Sequence, residues 1–125
     1  MMSITQSLED YLEAIYVLES KGTPATVRGV ARFLDVKMPS VVAAVRLLKD
    51  RVLARQEPYA PITLTTEGRA AAKKILARHT LLKRFLIMLG VKPGTADEDA
   101  CRMEHILSHE TMEKIRLYTE GREGK

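Results

Sequence analysis

Two short runs of apolar residues at helical spacing, parted by a few turn-forming residues, constrain this chain more than any other feature. In "VRGVARFL", Val27, Val30 and one of Phe33 or Leu34 fall on one face, behind a Thr26 that can cap the helix start. "DVKMP" then reads as a turn. Pro39 and Ser40 open another helix, whose expected buried stripe is Val41, Val45, Leu48 and Val52 at spacings of four, three and four. Two short helices around a tight turn form a helix-turn-helix.

The flanking sequence extends this unit. From Ser7 to about Glu19, Leu8, Tyr11, Leu12, Ile15 and Leu18 recur at helical spacing until "KGTP" stops the run. After Leu53, "ARQEPYAPITLTTEG" holds two short extended runs around a Pro-Tyr-Ala-Pro tip, a small β-hairpin in the position of a wing. Thr65 or Thr66 caps an Ala- and Lys-rich helix that continues to Gly90. A further helix is expected from about Thr95 through "DACRMEH", and Ser108 caps a last one, "HETMEKIRLYT", ahead of a tail, "EGREGK", expected to be disordered. The fold class is therefore mainly α: a winged helix-turn-helix of DNA-binding type over residues 1–72, then a helical module over residues 73–125. Apolar helix faces left over after so small a domain closes commonly bury against a second copy, which implies a homodimer. Dimeric helix-turn-helix proteins read palindromes.

Composition narrows the partner. The 125 residues suit one compact domain or two small ones, and no uninterrupted apolar run is long enough to span a bilayer. The start, "MMSITQSLEDY", lacks the basic and apolar regions of a secretory signal, so a cytoplasmic location without membrane association is expected. A net charge of +4 makes a polyanionic partner plausible, while 5% aromatic residues and no Trp argue against base stacking on single strands. Double-stranded DNA stays open. On the third helix the outward positions are expected to be Ser40, Ala43, Ala44, Leu47 and Arg51, flanked by Lys37, Arg46 and Lys49, a face poor in the Arg, Asn and Gln that read base edges. Arg28, Lys37, Ser40, Arg46 and Arg55 are accordingly expected to position phosphates, with Pro39 at the helix start in the same DNA-facing set and DNA shape carrying much of the specificity. The alternative is a set of solvated basic residues on a helical fold used for protein contact.

The second half carries the chemistry. With Cys101 at zero on a helical wheel of about 100° per residue, Glu104 falls near about 300° and His105 near about 40°. The only cysteine of the chain thus shares a face with a carboxylate and an imidazole, away from Met103, Ile106 and Leu107. Thiolate, carboxylate and imidazole together make a metal-ligand set. Asp10 and Glu13, one turn apart on the first helix, add two oxygen ligands, and His79 lies on the side of the long helix that carries Ile75, Leu82 and Leu86. Each feature has an ordinary reading: a cysteine at a helix contact, a solvated acidic face, a hydrogen-bonded core histidine. A redox sensor using Cys101 is a rival, and a Cys101–His105 thiol enzyme is a weaker one, because no Gly-rich oxyanion loop accompanies the pair.

The segments "SLEDYLEAIYVLE", "DVKMPSVVAAVRLLKD", "LTTEGR", "ARHTLLKRFL" and "DACRMEHILSHE", in that order and over nearly the whole chain, resemble the diphtheria toxin repressor family of metal-dependent transcription regulators. The manganese transport regulator branch, which lacks the C-terminal SH3-like domain of the iron-responsive members, is the most similar in architecture. The resemblance implies that Asp10, Glu13, His79, Cys101, Glu104 and His105 form a metal site, and that the protein represses metal-uptake genes when the metal is plentiful rather than catalysing a reaction. It implies Fe(II) or Mn(II) as the cofactor, with Zn(II), Co(II) or Ni(II) also binding in vitro. The set is mixed. Asp10 and Glu13 follow the manganese-type pattern, whereas Cys101 follows the iron-type one. Asp97 stands where iron-type members place a His of an ancillary site and Lys83 where they place an acid; a cation at Lys83 would repel a second metal.

Overall fold

A computed structural model describes residues 6–123 as six helices and one hairpin: α1 Gln6–Ser20, α2 Val27–Leu34, α3 Met38–Asp50, β1 Ala54–Arg55, β2 Thr63–Leu64, α4 Thr66–Met88, α5 Pro93–Met103 and α6 His109–Glu123. The chain divides into two compact units, Met1–Lys74 and Ile75–Lys125, with the division falling inside α4.

The first unit is a three-helix core with a wing. Leu8, Tyr11, Leu12, Ile15 and Leu18 of α1 are buried, as their spacing requires, with Val30 of α2 and Val41, Val45 and Leu48 of α3. All three helices pack on one another. Side chains as fully enclosed as Leu12, Ile15 and Leu48 each stabilise by about 1.5–3 kcal/mol. The Thr26 hydroxyl accepts the Gly29 N–H at 2.9 Å and caps α2. At the other end of α2, Asp35 turns into the left-handed region, and the Val36 N–H closes back on the Ala31 carbonyl at 2.9 Å. Pro39 occupies the first turn of α3, where no N–H is needed.

Two expectations are corrected here, and one open alternative is resolved. Phe33 is 46% exposed, so Leu34 is the partly buried member of that pair. Val52 is 59% exposed because α3 stops at Asp50 and Val52 takes a φ of 59°, leaving the helical stripe before its fourth position. Ala44 is 5% exposed, not outward: it lies three residues after Val41 and four before Leu48, on the buried face itself.

Ala54 pairs with Leu64 and Arg55 with Thr63 in the antiparallel hairpin, and Ile62 bridges to Ala25 ahead of α2. Glu19 fastens the wing to the end of α1, since one carboxylate oxygen accepts the Leu64 N–H at 3.1 Å and the other the Arg69 guanidinium at 3.0 Å. Thr65 rather than Thr66 is the α4 cap: its hydroxyl accepts the Gly68 N–H at 3.0 Å and donates to the Val52 carbonyl at 2.7 Å.

In the second unit, Leu82, Ala100 and Met112 form the core, with Leu81, Met103, Leu107 and Ile115 packed on it. Gly90, at a φ of 102°, ends α4, with its N–H on the Ile87 carbonyl and that of Val91 on the Leu86 carbonyl, both at 3.0 Å. Helix α5 starts at Pro93, two residues ahead of the expected start near Thr95, and stops at Met103, so Glu104 and His105 lie just beyond its last helical residue. Ser108 caps α6 by accepting the Thr111 N–H at 3.1 Å. The tail is also corrected: α6 runs to Glu123, and Gly124 and Lys125 lie outside the described residues. Arg116 bridges Glu113 and Glu120 along that helix, and Arg122 stacks 4.9 Å from the Tyr118 ring centre. Among the described residues no helix is long and apolar enough to cross a membrane.

Candidate functional site

Glu104 is the centre of the chemistry in the second unit. It follows the last turn of α5, with its N–H still bonded to the Ala100 carbonyl at 3.0 Å, and it is only 1% exposed. A buried carboxylate is costly unless opposite charge or hydrogen-bond donors surround it. Here two imidazoles stand beside it. His79 Nδ1, brought in by α4, lies 3.2 Å from Oε2, and His105 Nε2, from the turn after α5, lies 3.4 Å from Oε1. The Cys101 sulfur, one turn earlier on α5, Glu104 and His105 offer ligand atoms that all lie within 4.8 Å of one another. The backbone at Glu104 (φ −61°, ψ −21°) is nearly helical, so the shared face expected from the wheel persists although the helix has ended.

His79 is therefore not a solitary core histidine. Its second nitrogen, Nε2, meets the Asp97 carboxylate at 2.8 Å, and Lys83 Nζ stands 3.5 Å from the same oxygen. The hydrogen bond from His79 is the main reason that the Asp97 carboxyl is held below its ordinary pKa; partial burial opposes this, and the charges of His79 and Lys83 add to it. The contact between Asp97 and His79 was missed by sequence reasoning. Its signal was the four-residue spacing of Asp97 and Cys101, which puts both on one side of α5.

The donor set of this unit fits a divalent transition cation. Ligand bonds of about 2.1 Å place neighbouring ligand atoms about 3.0–3.4 Å apart in octahedral or tetrahedral shells, and the two carboxylate–imidazole separations, 3.2 and 3.4 Å, are of that size. A hard carboxylate, two borderline imidazoles and a soft thiol span the preferences of first-row metals from Mn(II) to Zn(II).

In the first unit, Asp10 and Glu13 lie one turn apart on α1, both partly buried, on the face opposite the enclosed Leu8, Leu12 and Ile15. The expected DNA-facing residues are all exposed: Arg28 on α2, Lys37 and Pro39 at the start of α3, Ser40 and Arg46 along it, and Arg55 on β1. Between them α3 shows half-exposed Val42 and Leu47 and exposed Ala43, an apolar strip with a basic margin.

Both halves of the chain match described protein families. Residues 3–61 match the family described as iron dependent repressor, N-terminal DNA binding domain, and residues 65–122 match iron dependent repressor, metal binding and dimerisation domain. An uncharacterised HTH-type transcriptional regulator of Methanocaldococcus jannaschii is 39% identical over 119 residues, covering 94% of this chain and 95% of that protein. The transcriptional regulator MntR of Escherichia coli O157:H7 is 34% identical over 113 residues, 90% of this chain and 73% of that one. Among solved structures, a manganese-dependent transcriptional repressor in complex with manganese superimposes with a TM-score of 0.83 at 26% identity, over 90% of this chain and 52% of its own. The T. acidophilum IdeR structure gives 0.77 at 28% identity, over 100% of this chain and 56% of its own. The chain thus spans about half the length of those solved structures. With a DNA-binding half and a metal-binding half matched in order, and with relatives above 30% identity along most of its length, the chain belongs to the iron-dependent repressor family, the metal-dependent transcriptional repressors that include the diphtheria toxin repressor and the manganese transport regulators.

Proposed function

We propose that this chain acts as a homodimer that binds a palindromic duplex operator when Fe(II) or Mn(II) occupies a site formed by Asp10, Glu13, His79, Cys101, Glu104 and His105, and that it thereby represses metal-uptake genes. The observation that carries the reading is Glu104, buried with His79 and His105 on its two oxygens and the Cys101 sulfur alongside. A relative named MntR, a neighbour solved with manganese and another, ScaR, solved with bound Zn2+ support a divalent metal. Zn(II), Co(II) and Ni(II) are expected to bind in vitro, because raw affinity rises along that part of the series.

The mechanism follows from which residues share which helix. A bound cation supplies the positive charge that several carboxylates need in order to sit together. Asp10 and Glu13 then tie α1 to the ligands of the second unit, and α1 is the helix on which α2 and α3 pack, so restraining it restrains the recognition helix. Two α3 helices held about 34 Å apart in a dimer meet successive major grooves. Without the cation the acidic groups repel one another, other spacings are sampled, and DNA binding carries an ordering cost. At the duplex, Arg28, Lys37, Ser40, Arg46 and Arg55 contact phosphates, while Pro39, Val42 and Leu47 offer only apolar contact to thymine methyls, so DNA shape supplies much of the specificity.

The thiol-oxidation reading has no support. Cys101 sits within a set of metal-type donors, and the matching family is one of metal-dependent repressors. The test is fluorescence anisotropy on an operator selected from random duplexes in Mn(II), with Mn(II), Fe(II) and Zn(II) titrations of wild type, Asp10→Asn and Cys101→Ala. Metal should tighten wild-type binding and EDTA reverse it, Asp10→Asn should lose the response, and Cys101→Ala should weaken the Zn(II) response more than the Mn(II) one. Wild-type binding indifferent to both metal and EDTA refutes the proposal.

A further inference from the structure

We infer that Asp97 is a positioning residue for the metal site: it holds the His79 ring so that Nδ1, not Nε2, is the nitrogen offered to the cation. The inference rests on the metal-site reading above and adds a residue outside its ligand set. A neutral imidazole donates from one nitrogen and accepts at the other, and the partner of one nitrogen decides which is which. Asp97 Oδ1 lies 2.8 Å from Nε2 and, as a carboxylate oxygen, accepts there, so Nε2 carries the proton. The lone pair is then on Nδ1, which faces Glu104 Oε2 at 3.2 Å.

The arrangement places Asp97 behind the ring rather than in the ligand shell, because its oxygen meets the nitrogen pointing away from Glu104. Lys83, 3.5 Å from the same oxygen, limits where the carboxylate can swing. Asp97 is also one turn before Cys101 on α5, so the helix that delivers the thiol delivers the carboxylate that aims the opposite ligand. The His79 side chain is 17% exposed and that of Asp97 54%, so the carboxylate meets the ring from the solvent side. Carboxylates that orient a metal-bound histidine in this way typically change metal affinity by about 10- to 100-fold when removed.

The test uses the whole chain labelled with 15N-histidine and loaded with diamagnetic Zn(II). In wild type, His79 should show a metal-bound Nδ1 and a slowly exchanging Nε2 proton. Asp97→Ala should lose the slow proton and bind Zn(II) and Mn(II) about 10- to 100-fold more weakly by chelator competition. Asp97→Asn, which keeps an acceptor oxygen, should retain the proton and recover part of the affinity, an outcome that a purely structural role for Asp97 does not produce. Asp97→Ala loading as tightly as wild type, or a wild-type His79 bound through Nε2, overturns this inference alone. A wild type that takes up no metal overturns the metal-site reading and this inference with it.

Discussion

Replacing Gly68 by alanine separates local helix propensity from tertiary packing, because the two predict opposite signs. Gly68 lies in the first turn of α4, where alanine would by itself stabilise by about 1 kcal/mol. A Cβ there would stand 1.9 Å from the Leu53 carbonyl oxygen and 2.9 Å from its carbon. Carbon contacts prefer about 3.5 Å or more, so the backbone at Leu53 must retreat by more than about 1 Å. That backbone is not idle. The Leu53 N–H bonds the Leu48 carbonyl at 2.9 Å, its carbonyl accepts the Thr65 N–H at 3.1 Å, and the Thr65 hydroxyl joins Val52 and Gly68 on either side. Loss of two or three such bonds at about 1 kcal/mol each, with an overpacking cost of about 1–3 kcal/mol, outweighs the propensity gain and leaves a net destabilisation of about 2–5 kcal/mol. Urea and thermal melts followed by circular dichroism should show a lower urea midpoint and a melting temperature reduced by about 10 °C or more. A Gly68→Ala protein as stable as wild type, or more so, would refute the reasoning about this junction.

Other outcomes are as specific. Lys37→Ala and Arg46→Ala should weaken operator binding evenly across sequences and lower the slope of log affinity against log salt by about 0.9 for each phosphate left without its cation; an unchanged slope removes them from the phosphate set. The Thr119 hydroxyl is buried with no hydrogen-bond partner among the described residues, so Thr119→Val should be neutral or stabilising by about 1 kcal/mol in urea melts, and a clear loss of stability counts against that reading. The Arg116 guanidinium beside Glu113 holds that carboxyl below its ordinary value of 4.5, so the pair contributes above that value and the contribution is lost as pH falls through the lowered one. In Arg116→Ala the Glu113 titration, followed by carboxyl NMR, should move up towards the ordinary value; no movement would show that the pair does not set it.

Much of the fold is written in local spacing. The stripe from Leu8 to Leu18 is buried residue by residue, and the Thr26 and Ser108 caps are where their side chains suggest, because a helix hides one face and its first N–H groups need acceptors. What periodicity does not disclose is where a regular element yields to a tertiary contact. Val52 continues the α3 stripe on paper but leaves the helix in a left-handed turn, and α5 ends before Glu104 although the turn geometry keeps Cys101, Glu104 and His105 together. The extension of α6 through Glu123 depends on side-chain pairs such as Arg116 with Glu120 and Arg122 with Tyr118, which a polar, glycine-containing tail does not advertise. The candidate ligands on α5 and in the turn after it are legible because they are close in sequence. The meeting of Asp97 with His79, 18 residues apart, is decided by how α4 and α5 pack.

The central claim is that the metal site and the DNA-binding face are energetically coupled, and coupling must be reciprocal. The most direct measurement is the Mn(II) affinity of the wild-type protein, by competition with a fluorescent chelator, in the presence and absence of saturating operator. Operator should tighten Mn(II) binding by the same factor by which Mn(II) tightens operator binding. An Mn(II) affinity that is identical with and without operator would contradict the account.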